Sequence, residues 1–107
     1  IVIASDHAAI ELKASIKALL QEQNRTIEDL GSHDTTSVDY PDYANKLSEA
    51  ILSGQYEFGI LLCGSGIGMS IAANRHKGIR AALCHDGLSA ELSRRHNNAN
   101  VLVLGAR

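Results

Sequence analysis

The run Cys63-Gly64-Ser65-Gly66-Ile67-Gly68 sets a thiol where an apolar segment meets a string of glycines. The preceding Phe58-Gly59-Ile60-Leu61-Leu62 is short, apolar and stopped by glycine, which predicts a buried strand. Ile67 to Asn74 predicts the first turns of a helix. A thiol between the two lies beside main-chain N–H groups at a helix start. That setting holds an anion and favours a thiolate. It suits removal of a proton next to a carbonyl, with the resulting oxyanion held by amides. The bland alternative is a buried apolar cysteine that ends a strand, followed by a plain tight turn.

Other residues add chemistry. Asp6-His7 follows the apolar Ile1-Val2-Ile3-Ala4. The histidine is suited to donate to a phosphate or exchange a proton with a substrate oxygen; equally, Asp6 caps a helix and His7 is solvated. His96-Asn97 offers a proton shuttle with an amide donor beside it, or else a helix-terminal His followed by a left-handed Asn. Arg107 presents a planar fork for phosphate or a solvated charge. The glycine run reads G-x-G-x-G, not the dinucleotide fingerprint G-x-G-x-x-G, and it has no P-loop lysine. As an anion nest it is plausible. Ser65 lacks the G-x-S-x-G setting of a nucleophile elbow. The five histidines and two cysteines form no H-x-x-x-H or C-x-x-C pair, so no metal site is expected.

These groups need elements to hold them. Ile1–Ala4 predicts a first strand, and Ala8–Gln23 a helix with Ile10, Leu12, Ile16, Leu19 and Leu20 at helical spacing, capped by Ser5 or Asp6. A weaker strand follows at Thr26–Leu30, then a polar loop over Gly31–Asp39. Pro41 suits the first turn of a second helix with Tyr43, Ala44, Leu47, Ala50 and Ile51 inward. Beyond the third strand and the glycine turn come a strand at Ile79–Leu83, a helix at Gly87–Arg95 and a strand at Val101–Leu104. Alternating strands and helices predict an α/β fold: a three-layer, doubly wound, five-stranded parallel sheet of flavodoxin or Rossmann-like type, in the order 2-1-3-4-5. Its ligand crevice lies where the chain reverses between strands one and three. That brings Asp6-His7 to Cys63–Gly68, with Cys84-His85-Asp86 along the same edge.

Bulk properties narrow the class. A chain of 107 residues with 45% hydrophobic and 21% charged residues is an ordinary globular composition, enough for one domain spanning 1–107. A net charge of −2 and no basic block beyond Arg94-Arg95 argue against a nucleic-acid binder, and 4% aromatics without Trp argue against base stacking. No segment approaches a membrane span. Cys63 and Cys84 each end an apolar run, where parallel neighbours could pair them; a small secreted scaffold carries more cysteines, so reduced thiols and a cytoplasmic location are expected. The chain starts inside one predicted strand and stops just after another with no closing helix, which suggests an excerpt of a longer protein.

Five segments in register resemble one family. They are Ser5-Asp6-His7-Ala8, Ser37–Ala44, Cys63–Asn74, Gly78-Ile79-Arg80-Ala81 and Ser93–Leu102. Together they resemble the type B ribose-5-phosphate isomerases, in the sugar-phosphate isomerase family that also holds galactose-6-phosphate isomerase subunits. The chain departs from the pattern at Ala9, where Gly is frequent, and at Asn98, where Asp is frequent. The resemblance implies a reversible aldose–ketose isomerisation of ribose 5-phosphate through an enediolate, with no metal or organic cofactor. It implies Cys63 as the base, Ser65 beside it, and Gly64, Gly66 and Gly68 as the source of amides for the enediolate oxygen. Asp6 and His96 would open the furanose ring, Asn97 would bind developing charge, His7 and Arg107 would contact phosphate, and Tyr40 would line the sugar pocket. A homodimer with shared sites is implied, with a tetramer as its possible pairing. Rival readings are an isomerase of a hexose 6-phosphate of galactose or allose type, a non-catalytic sugar-phosphate-binding domain, and a flavodoxin-like nucleotide binder.

Overall fold

A computed structural model describes all residues from Ile1 to Arg107. Five strands form one parallel sheet: β1 (Val2–Ser5), β2 (Glu28–Asp29), β3 (Gly59–Cys63), β4 (Ala81–Leu83) and β5 (Val101–Gly105). Four helices connect them: α1 (Ile10–Glu22), α2 (Tyr40–Leu52), α3 (Ile67–Asn74) and α4 (Gly87–Asn97). A single 3₁₀ turn, His7–Ala9, leads into α1.

Strand alternation divides the apolar residues between two faces. On one face Val2, Ala4, Leu61, Cys63, Val101 and Val103 pack with Ala44, Leu47 and Ile51 of α2 and Met69, Ala72 and Ala73 of α3. On the other, Ile3 and Leu62 pack with Ala9, Leu12 and Ile16 of the α1 segment, beside Ile60 and Leu104. Ala90 of α4 shares a cleft on that second face with Leu12, Leu102 and Leu104. Three layers result, with both sheet faces covered.

The observed strand order is β2-β1-β3-β5-β4. It corrects the expected 2-1-3-4-5 by exchanging the last two strands. A central parallel strand is buried on both faces and needs a continuous apolar run. Val101-Leu102-Val103-Leu104 meets that need, and Val101 and Val103 are fully buried between β3 and β4. Ala81-Ala82-Leu83 is shorter and only half-buried, so it takes the edge. There the side chain of Asn74 stands in for a further strand: its Nδ2 donates to the Ala81 carbonyl (2.9 Å) and its Oδ1 accepts the Ala81 N–H (2.8 Å). The reversal between β1 and β3 is unaffected by the exchange.

A lysine breaks the apolar pattern inside α1. Ile10, Lys13, Lys17 and Leu20 share one helical stripe. Lys13 is 3% exposed. Its ammonium donates to Asp29 Oδ1 (2.8 Å) and to the carbonyl of Ser32; Lys17 reaches Asp29 Oδ2 at 3.0 Å. Burial opposes ionisation of Asp29. The hydrogen bonds from Lys13, from the Gly31 amide and from Lys17 outweigh it and hold the carboxyl below its ordinary value. A carboxyl lowered on folding stabilises the fold above its unfolded pKa, and that contribution is lost as pH falls through the folded value. The stability gap between wild type and Asp29→Asn is therefore widest at neutral pH and narrows below about pH 4. Urea unfolding across pH 2–7 measures it, and a gap that stays constant contradicts the assignment.

Candidate active site

The register of the three central strands assembles the site. Ser5 pairs with Leu62 and Cys63 with Gly105. The Asp6 N–H donates to the Leu62 carbonyl at 3.1 Å, so Asp6 sits beside Cys63 at the carboxyl edge of the sheet. Neighbouring strands are spaced by about 4.8 Å, which makes Asp6, Cys63 and Gly105 a contiguous row. Beyond Gly105 the chain stays on β3: Ala106 N–H donates to the Cys63 carbonyl and Arg107 N–H to the Gly64 carbonyl, each at 2.9 Å.

Cys63 is 5% exposed, on the face shared with α2 and α3. The Gly66 N–H points at its Sγ (3.2 Å), an amide donor aimed at sulfur. Gly66 has φ +81 and ψ −18 at the start of α3, a left-handed conformation natural to glycine. A Cβ there would lie 2.5 Å from Leu83 Cδ1 and 3.1 Å from the Leu104 carbonyl carbon. Gly105 is equally constrained, because a Cβ would meet the Ser65 carbonyl oxygen at 2.6 Å. The loop thus folds directly over the end of β5.

The amides of Gly64, Ser65, Gly68 and Met69 have no acceptor within the chain. Ser65 is exposed and its Oγ accepts the Ile67 N–H (3.2 Å). The Arg107 guanidinium lies against Gly64, where a Cβ would be 3.2 Å from its terminal nitrogen. Tyr40 lays its ring on Gly68, where a Cβ would be 2.7 Å from the ring. The glycine loop is therefore a set of free N–H donors flanked by a cation and an aromatic ring, a geometry that receives an anion.

Asp6 is 8% exposed, and its Oδ1 accepts the Ala8 N–H (2.9 Å), so it does cap the turn that opens α1. Its second carboxylate oxygen accepts from no protein donor and is free to act. His7 is half-buried, and its Nδ1 accepts the Val38 N–H (3.1 Å). In the neutral ring that leaves the proton on Nε2 as the free donor. Ala9, at φ −118, makes no demand for glycine.

His96 and Asn97 are not part of this cluster within one chain. Both are exposed at the end of α4, and the left-handed residue that follows is Asn98 (φ 50). The adjoining Asn100 bonds Gly59 and Arg80 at the amino ends of the strands. The four-residue rise of β3 separates that end from Cys63 by about 13 Å. Cys63 lines none of the larger clefts of the single chain. The largest, 590 Å³, lies on the outer side of α2 between Ser37 and Glu49. Close to the sulfur, α3 leaves Ile67 and Ile71 more than half exposed, four residues apart on one side.

Cys84 is buried and free, like Cys63. The strand β5 stands between their strands, which keeps the two thiols apart. Asp86 caps α4 through the Ser89 N–H (2.7 Å); that bond holds its carboxyl below the ordinary value. No group of three His, Cys, Asp or Glu side chains is arranged around a metal-sized space. No helix is long and apolar enough to cross a membrane. The sequence reading missed the Val38 amide and the Lys13–Asp29 pair. A lysine on the inward stripe of α1 was the available signal for the second; a main-chain donor such as Val38 leaves none.

Comparison with known proteins places this arrangement among relatives. The family described as Ribose/Galactose Isomerase matches residues 1–107. The D-erythrulose-4-phosphate isomerase of Pectobacterium atrosepticum is 51% identical over 109 residues, covering 100% of this chain and 71% of that protein. The ribose-5-phosphate isomerase B of Escherichia coli is 44% identical over 107 residues, covering 100% and 72%. The crystal structure of a ribose 5-phosphate isomerase from Thermotoga maritima superposes with a TM-score of 0.97 at 58% identity, covering 99% of this chain and 73% of that one.

The glycine at 66 gives a test of the loop. Gly54 also has positive φ (+88) but has nothing within 4 Å of a built Cβ. Gly54→Ala therefore shows the backbone cost alone, about 1–3 kcal/mol. Gly66→Ala adds displacement of Leu83 and the β5 backbone and loses more in urea unfolding; equal losses contradict the close packing described here.

Proposed function

Because the chain belongs to the ribose/galactose isomerase family, we propose that it interconverts ribose 5-phosphate and ribulose 5-phosphate with Cys63 as the base. The observation that carries this reading is the Gly66 N–H aimed at Cys63 Sγ, beside a loop of unpaired amides. A thiolate at Cys63 takes the proton from C2 of the open-chain aldose. The C–H electron pair forms the C1–C2 double bond, and O1 takes the negative charge. The free amides of the glycine loop and the Ser65 hydroxyl donate to that enediolate. The O2 proton passes to O1, the Cys63 thiol returns its proton to C1 as the C1–C2 double-bond pair forms the new C1–H bond, and C2=O2 forms to give the ketose. Only protons and electron pairs within the substrate move, so the route needs no cofactor.

The flanking groups take the remaining tasks. His7 Nε2–H and the Arg107 guanidinium bind phosphate. Tyr40 walls the sugar pocket. The free oxygen of Asp6, working with His96, opens the furanose, and Asn97 holds developing charge. His96 and Asn97 reach Cys63 from a second copy of the chain. Ile67 and Ile71 supply an apolar seam for that copy, beside a sulfur that lacks a walled cleft in one chain. The homodimer therefore carries two shared sites. Reduced Cys63 and Cys84 suit a cytoplasmic setting.

A four-carbon sugar phosphate is the second reading, since the relative at 51% identity is a D-erythrulose-4-phosphate isomerase. Specificity constants for ribose 5-phosphate, erythrulose 4-phosphate and galactose 6-phosphate separate the substrates, and the largest should be for ribose 5-phosphate.

Cys63→Ala should lower kcat by roughly 10²- to 10⁴-fold and abolish deuterium exchange at C2. Turnover near the wild-type rate would reduce the thiol to a bystander. Mixing Cys63→Ala with His96→Ala subunits should restore about a quarter of wild-type turnover, since half the dimers are mixed and each holds one intact site. Dimeric mixtures that stay inactive would show that the two residues do not meet across subunits.

A further inference from the structure

We infer that Lys13 is a positioning residue, holding the corner of the sheet on which Asp6 and His7 are mounted. The inference rests on the proposed reading of those two residues as substrate-binding and ring-opening groups.

The corner is built from main chain. Past β2, Gly31 and Ser32 continue along β1: the Ser5 N–H donates to the Gly31 carbonyl (2.7 Å) and the Ser32 N–H to the Ser5 carbonyl (2.8 Å). Ser5 is thus gripped on both its polar groups immediately before Asp6. The other side of the Gly31–Ser32 segment is held from beneath by Lys13, whose ammonium donates to the Ser32 carbonyl. Asp29 completes the grip, accepting from Lys13 and from the Gly31 N–H at 2.8 Å each.

Side chains give this corner little other support. The hydroxyls of Ser5 and Ser32 are sealed without a hydrogen-bond partner, so neither ties the segment down. Gly31 has φ +104 and abuts the Tyr43 ring, a contact without a hydrogen bond. Lys17 binds only the outer oxygen of Asp29 and touches no carbonyl of the segment. The two lysines therefore differ in one respect: only Lys13 connects the ion pair to the main chain beside Asp6. A buried ammonium is a costly way to fill an apolar stripe. A carbonyl held in place next to a proton-transfer group is a use that matches that cost.

The test compares Lys17→Ala with Lys13→Met/Asp29→Asn, which removes both charges of the inner pair and leaves no lone ion buried. Lys17→Ala should keep wild-type kcat. The double variant should lose roughly 10- to 100-fold in kcat while folding, because misplacement of about 1 Å costs that much. Nitrogen-15 spectra of the imidazoles, read without substrate, should show His7 as the Nε2–H tautomer in wild type and Lys17→Ala. They should show a tautomer mixture in the double variant. A folded double variant with wild-type kcat and an unchanged His7 signal would overturn the inference. If the double variant does not fold, Lys13→Arg decides. It keeps the charge pair, but its longer planar head displaces the Ser32 carbonyl. Wild-type kcat and His7 spectrum from that variant would overturn the inference equally. A wild-type protein that isomerises no sugar phosphate would sink the functional reading instead, and the His7 spectrum would still decide the role of Lys13.

Discussion

The parallel pairing of β1 with β3, two strands separated by more than fifty residues of chain, is the constraint on which the site depends. A parallel ladder ends all its strands at one edge, so whatever follows β1 must emerge beside whatever follows β3. Asp6-His7 and the glycine loop meet for that reason and no other. Both strands sit between helices on each face, with Val2, Ile3, Ala4, Leu61 and Leu62 fully buried. A slip of one residue would exchange the faces of every buried side chain on the strand that moved, and the cost of that exchange keeps the register in place. Apolar packing inside the sheet thereby sets the distance between a carboxylate and a thiol.

The glycine loop adds a second constraint of a different kind. It is short enough that two of its turns cross other backbone directly. Gly66 avoids Leu83 and the end of β5, while Gly105 leaves room for the Ser65 carbonyl. A side chain at either position would lift the loop and turn its amides away. The free N–H groups near Cys63 exist because these backbones touch. The amide aimed at the sulfur and the packing at the sheet edge are the same arrangement viewed from two sides.

Most of this architecture was legible in the residues. Strands such as Phe58–Leu62 and Val101–Leu104 are apolar on both faces, and the amphipathic stripe of α2 needs little interpretation. Chain reversal between the first and third strands follows from the usual doubly wound order of a parallel sheet. The positions of β4 and β5 were not read correctly, although a signal was present: Val101-Leu102-Val103-Leu104 is the better central strand and Ala81-Ala82-Leu83 the better edge. General expectation for doubly wound sheets outweighed that difference. His96 and Asn97 show a deeper limit. Their residue types suggest chemistry, but a single chain leaves them at the other end of the sheet. The Lys13–Asp29 pair was hidden for another reason, since a lysine within a helical pattern reads as solvated until its surroundings are seen.

The Asn74 side chain at β4 has a consequence for what can join this edge of the sheet. An uncovered strand edge is a template that another extended segment can join, and such growth has no natural end. By supplying both a donor and an acceptor to Ala81, Asn74 occupies a rung where an incoming backbone would start. Open-ended stacking through the sheet loses a foothold there.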